Sequence, residues 1–185
     1  MDWTSHTDAE LAASAGTEGN MEALSILLER HAPAVHRTIC AMAPWRNDAE
    51  DLTKQTLIRA ARGIRGFQGR ASFPTWLHRI AVNTVRSQLA RGGPEFVPAA
   101  EEVEPAAPRT AHPDVRAQAG EIDRHIGRAL AALPEPFREA AALMIVQQMP
   151  AREAARAAGC LAATMYWRVF RARELLQEEL REFIS

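Results

Sequence analysis

Apolar residues recur along this chain at helical rather than alternating spacing. Met21, Leu24, Leu27 and Leu28 fall at i, i+3, i+6 and i+7, which predicts one buried helix face. Ahead of them, Thr7-Asp8-Ala9-Glu10 has capping-box form, and Gly16 to Gly19 predicts a break. Pro33 suits the first turn of a third helix carrying Val35, Ile39 and Met42 and ending near Pro44. Asn47 or Asp48 can cap a fourth, with Leu52, Leu57, Ile58 and Ala61 turned inward until Gly63, Gly66 and Gly69 intervene. A fifth starts at Ser72, has Pro74 in its first turn, and runs through Trp76, Leu77, Ile80, Val85 and Leu89. No stretch alternates as a half-buried strand would, so the expected class is all-α.

Periodicity lapses between Gly92 and Gln118, where Pro94, Pro98, Pro105, Pro108 and Pro113 accompany Glu101, Glu102 and Glu104. Proline at this density reads as a semi-extended linker that buries no core. The expected organisation is a helical domain over 1–91, a linker over 92–118 and a second helical domain over 119–185. In the second domain, Ile122, Ile126, Leu130 and Leu133 predict a helix ended by Pro134, and another follows from Pro136 through Val146. From Pro150, a short Ala-rich helix, a glycine at Gly159 and a longer helix bearing Met165, Val169, Ala172 and Leu176 follow helix-turn-helix grammar. An ordinary αα-hairpin carries the same pattern, so spacing alone leaves both open.

Composition narrows the functional classes. Cys40 and Cys160 are the only cysteines among 185 residues, too few for a disulfide scaffold and too far apart for a paired zinc-ligand motif. The opening Met1-Asp2-Trp3-Thr4 lacks a basic segment followed by an apolar one, and the longest apolar run, Ala140 to Val146, falls far short of the ~20 residues a membrane span needs. Neither secretion nor membrane insertion is expected, and a reduced, cytoplasmic setting is. A net charge of -1 conceals a sorting: from Leu52 to Arg91 the chain carries Lys54, Arg59, Arg62, Arg65, Arg70, Arg79, Arg86 and Arg91 and no acid. One sign sustained over such a length is self-repulsive and points to a polyanionic partner. His31, His36 and Cys40 are spaced by five and four residues, which does not align all three on one helix face, so no metal site is expected. No Ser/His/Asp set, phosphate loop with lysine or compact carboxylate cluster suggests catalysis, a cofactor or a small-molecule substrate.

Several segments together resemble the bacterial RNA polymerase sigma factors of the extracytoplasmic-function group, within the sigma-70 family. Asp48-Ala49-Glu50-Asp51-Leu52-Thr53-Lys54-Gln55-Thr56 is similar to that group's D-A-E-D-L-x-Q-x motif. The run from Phe67 through Phe73-Pro74-Thr75-Trp76-Leu77 to Asn83 is similar to F-x-G-x-A-S-F-x-T-W-L-x-R-I-A-x-N. Gly19-Asn20 with Ala23, Leu24 and Leu27 looks like the opening of region 2, and Leu130 to Pro134 and Phe170 to Leu176 look like the borders of region 4. The resemblance covers nearly the whole chain in order.

It implies two helical domains, regions 2 and 4, and a dissociable specificity subunit, not an enzyme, that takes core RNA polymerase to promoter DNA, with an anti-sigma factor as a further partner. By resemblance, Asp48, Asp51, Leu52, Gln55, Leu57 and Arg59 would bind the polymerase, Leu52 and Leu57 being equally readable as core. Phe67, Gln68, Arg70, Ser72, Phe73, Arg79, Asn83 and Arg86 would meet the -10 element, where flexible backbone beside cations suits an unstacked base. Phe73 and Trp76 are also readable as packing residues. The -35 element would meet Ala163, Thr164, Tyr166, Trp167, Arg168 and Arg171 of the recognition helix, with Arg152 and Arg156 on the backbone. Leu161 stands where a capping Ser is usual, and Tyr166-Trp167 where Lys-Ser is frequent. These departures imply a different -35 preference or packing of the aromatics. A helix-turn-helix regulator without polymerase, or a sigma-derived protein-interaction module, are the competing functions.

Overall fold

The computed structural model describes residues 3–44, 48–91 and 125–184. The linker expected over 92–118, the alternative cap Asn47 and the apolar Ile122 lie outside them. Every element among the described residues is helical.

Helix α1 (Asp8–Ala13) begins with the expected capping box: the Thr7 hydroxyl accepts from the Glu10 amide, and the Thr7 amide donates to the Glu10 carboxylate at 2.8 Å. That amide bond, joined by the Thr7 hydroxyl, holds the Glu10 carboxyl below its usual range. A π-helical turn (Ser14–Glu18) continues it and is closed by Gly19, whose φ of 69° is left-handed. The predicted break is therefore a widened turn followed by a stop. Asn20 then caps α2 (Met21–Met42), its side chain accepting from the amides of Glu22 and Ala23.

Two expectations need correction here. Helix α2 runs unbroken through Pro33, which starts no third helix; the ring is exposed, and Val35, Ile39 and Met42 continue the stripe begun by Ala23, Leu24 and Leu27. Burial on both sides of the proline outweighs the one backbone bond it removes. In α3 (Ala49–Gly63), Ile58 does not turn inward. It is 52% exposed, and Leu52, Thr53, Thr56 and Ala60 form the buried face, with the threonine hydroxyls donating to the carbonyls of Ala49 and Leu52.

A short 3-10 turn (Ile64–Gly66) and a loop lead to α4 (Phe73–Arg91), which packs between α2 and α3 through Leu77, Ala81, Val82 and Val85. Each such side chain, fully buried, contributes about 2 kcal/mol relative to exposure.

The second half opens with α5 (125–132), whose final turn is tied to α6 (Glu135–Ala141) by Arg138. That guanidinium donates to the carbonyls of Leu133 and Ala131, and burial lowers its pKa to about 10. A second π-helical turn (Ala142–Val146) extends α6. Helix α7 (Ala151–Ala158) ends at Gly159 with φ 72°, and α8 (Ala162–Ile184) follows. Ala154, Ala155 and Ala158 are buried and small, so α7 lies close against α8, whose Met165, Val169 and Ala172 face it. Two packed helices with a glycine turn between them thus form as the spacing predicted.

The halves are in contact. Helix α4 packs on α7, and α2 packs on α6 and its π-helical extension. Gln147 donates to the carbonyl of Ala34 at 2.9 Å across this junction.

Candidate nucleic-acid interface

On α3, the predicted polymerase-facing residues divide by depth. Asp51, Gln55 and Arg59 are exposed, Leu57 is half-buried, and Leu52 is 1% exposed and belongs to the core. Asp48 precedes the helix without its side chain capping it, and its carbonyl accepts from the Leu52 amide. Lys54 stands 3.6 Å from Asp51 and 3.8 Å from Glu50, an exposed pairing worth little. Arg59 donates to the Thr84 hydroxyl and so braces α3 on α4. Ile58, expected inside, joins Asp51 and Gln55 on one exposed stripe at i, i+4 and i+7. No signal in the apolar spacing separates it from its buried neighbours.

The loop before α4 holds an aromatic cluster. Phe67, Phe73 and Trp76 meet with ring centroids 5.3 to 5.8 Å apart, and His31 of α2 lies 5.6 Å from Phe73. Phe73 is buried, so it supports the loop from beneath; Phe67 and Trp76 are half-buried, and Gln68 and Arg70 are exposed. Along α4, Arg79, Asn83 and Arg86 recur at i, i+4 and i+7, one face of a helix whose opposite side is core. Arg62, Arg65, Arg70 and Arg79 are exposed, and no carboxylate among the described residues pairs with them.

Two members of the -10 set are engaged elsewhere. Ser72 donates to Glu153 of α7 at 3.4 Å and Thr75 to the same carboxylate at 2.8 Å. Arg86 donates through Nε and Nη2 to Glu139 of α6 at 3.0 and 2.8 Å, and through Nη2 to the carbonyl of Ala158 at 3.1 Å. Neither Glu139 nor Glu153 stands out in the sequence: Glu139 shares its short helix with Glu135, and Glu153 is the one acid of an otherwise Ala- and Arg-rich helix.

On α8, Ala163, Tyr166, Trp167 and Arg171 are exposed, Thr164 and Arg168 half-buried. Trp167 remains 59% exposed although its ring meets Phe137 of α6 edge-on at 5.4 Å. The aromatic packing is therefore partial and directed to α6 rather than to α7. Leu161 and Phe170, absent from the predicted set, extend the same surface at 76% and 61% exposure. Arg171 pairs with Glu174 at 2.9 Å, and Arg168 approaches Glu139 at 3.9 Å. Arg152 and Arg156 are exposed on α7.

The histidines and cysteines do not converge. His31 bonds Asp8 at 2.6 Å, which Arg30 also holds at 2.7 Å, whereas His36 meets Thr53 and Cys40. Burial pushes the Cys40 thiol up, away from reactivity. Among the described residues no cluster of metal-ligating side chains occurs, and no helix is long and apolar enough to cross a membrane.

Comparison with known proteins agrees with this geometry. The Sigma-70 region 2 family matches residues 27–94, from the middle of α2 to the end of α4. The chain is 29% identical to the ECF RNA polymerase sigma-E factor of Haemophilus influenzae over 172 residues, 89% of this chain and 90% of that protein. It is equally identical to the sigma-E factor of Escherichia coli over 175 residues, 90% and 91% of the two. Its fold matches CnrH in complex with the cytosolic domain of CnrY, with a TM-score of 0.72 over 95% and 97% of the chains at 24% identity. It also matches the sigma factor RpoE of Bartonella quintana in complex with the anti-sigma factor NepR, with a TM-score of 0.66 over 83% and 94% at 27% identity. Family match, near full-length relatives and fold converge with the basic α4 face: residues 27–94 match region 2 of the sigma-70 family, and the chain is similar over nearly its whole length to sigma factors of the extracytoplasmic-function group.

Proposed function

We propose that this protein binds core RNA polymerase and directs it to promoters by recognising a -10 element through α4 and the preceding loop, and a -35 element through α8. The observation that carries this reading is the face formed by Arg79, Asn83 and Arg86, with Arg62, Arg65 and Arg70 beside it, free of any acid from Leu52 to Arg91. Arginines that reach solvent, of which only Arg86 is held by a carboxylate among the described residues, can position a phosphate backbone, and an exposed carboxamide among them can read a base edge. Phe67, half-buried on the aromatic platform of Phe73 and Trp76, offers a ring on which an unstacked base can lie. Asp51, Gln55, Ile58 and Arg59 form the polymerase-docking stripe, a mix of polar and apolar groups suited to an interface that must later release. Leu52 supports that stripe from the core.

In region 4, Ala163, Thr164, Tyr166, Trp167 and Arg171 would enter the major groove, with Arg152 and Arg156 on the flanking backbone and Arg168 available once it leaves Glu139. Large aromatics in place of short polar groups favour apolar contact, such as with thymine methyls, over bidentate hydrogen bonding. The polymerase supplies the chemistry, in the compartment where that enzyme works. An anti-sigma protein is the expected further partner, as the Bartonella sigma factor is seen in complex with the anti-sigma factor NepR.

Run-off transcription with purified core polymerase on a genomic fragment library tests the reading by sequencing of RNA 5′ ends. New starts sharing -35 and -10 elements are expected when the protein is added. Their absence would refute promoter recognition.

A further inference from the structure

Glu139 is 2% exposed, lies on α6, and faces two arginines from different parts of the molecule. Arg86 of α4 grips both of its oxygens through two hydrogen bonds, and Arg168 of α8 stands 3.9 Å from Oε1, which Arg86 also bonds. Arg86 also reaches the last carbonyl of α7, at Ala158. Region 2 and region 4 are thus joined at a carboxylate, and both of its cations belong to the surfaces assigned above to DNA.

We propose that Glu139 is a phosphate surrogate that latches the two halves closed, holding Arg86 and Arg168 in the place of DNA and releasing region 4 when a polyanion takes those arginines away. The proposal rests on the promoter reading only for its final step. Its physical basis is an asymmetry of exposure. The arginines reach solvent, with side chains 38% and 22% exposed, and can pass from one anion to another without being stranded. Glu139 has no such route. Burial raises its carboxyl above the usual range against the opposing pull of Arg86 and Arg168, so its charge is tolerable only while they face it. Once they leave, the carboxylate can stay ionised only by returning to water, which requires the half that carries α6 to part from α4 and α2. Glu153 with Ser72 and Thr75, and Gln147 with the Ala34 carbonyl, close the same seam but place no ion pair in it.

The asymmetry gives a test that simple loss of packing would not pass. Distances between a donor dye on α2 and an acceptor on α8 of the full-length chain should show a closed population for the wild type. R86Q strands the carboxylate and should shift most molecules to the extended distance. E139Q should remain closed, because a neutral carboxamide needs no cation. The double variant R86Q/E139Q should close again, with helical content checked by circular dichroism throughout. R79Q, an exposed arginine of the same helix, should match the wild type. Heparin, as a linear polyanion, should open the wild type and leave the double variant closed.

A wild type already extended, an R86Q variant that stays closed, or an R86Q variant that the second substitution fails to close would each overturn the latch. A wild type that heparin leaves closed would overturn its coupling to polyanions. These outcomes are read as distances, so absence of promoter-directed RNA synthesis would sink the functional reading and leave the latch to be judged on its own.

Discussion

His78 carries a consequence that its neighbours do not share. Its Nδ1 donates to the Pro74 carbonyl at 2.8 Å, one turn back along α4, and its Nε2 is buried without a partner. Burial lowers its pKa from 6.5; the Pro74 carbonyl opposes the shift, and the charges of His31 and Arg37 on the facing α2 add to it. The unfolded chain therefore binds a proton that the folded chain resists, so this contribution is present above pH 6.5 and is lost as pH falls below it toward the folded value. Thermal melts at pH 7.5 and pH 5 should show a smaller loss for H78Q than for the wild type; equal losses would refute the assignment. The buried depth of Leu52 and Phe73 is a second matter settled residue by residue. Both sit within motifs the sequence makes plain, yet a motif records identity and not depth, so nothing in the letters distinguishes the residue that touches a partner from the one that supports it.

At the scale of the element, spacing predicted most helices, and the failures have definite causes. Pro33 reads as a helix start because proline favours a first turn, but the apolar stripe of α2 continues on either side of it and tertiary burial decides. P33A should restore a donor to the carbonyl of Glu29 and raise stability by about 2 kcal/mol, read from the urea midpoint. The two π-helical turns, Ser14–Glu18 and Ala142–Val146, were illegible because a single extra residue per turn shifts the apolar register without any special residue type. Leu161 is the converse case, a local departure plain from the sequence. Its backbone carbonyl accepts from the Met165 amide, but a leucine side chain can accept nothing from the first turn of α8. L161S should add about 1 kcal/mol to stability, and a denaturant midpoint that does not rise would show that the turn already satisfies those amides.

For the molecule as a whole, the sequence conveyed the two-part organisation and the basic stretch but not the seam between the parts. Glu139, Glu153 and Gln147 meet region 2 across separations of 53, 78 and 113 positions, and such pairings follow no period. Promoter binding by the assembled polymerase should respond to this surface in a graded way. R79Q should weaken it about equally across promoters and reduce the slope of log affinity against log salt by about 1, as loss of one phosphate contact requires. A slope unchanged from the wild type would remove Arg79 from the contact surface. The seam also bears on how such proteins diverge. Arg86 lies in one half of the chain and Glu139 in the other, so a change at either is felt across the seam, whereas Arg168 meets Glu139 within its own half. A chimera that joined this region 4 to a region 2 lacking a cation at the place of Arg86 would inherit a buried acid with half its escort. Here the two halves cannot be exchanged without carrying that balance of charge along.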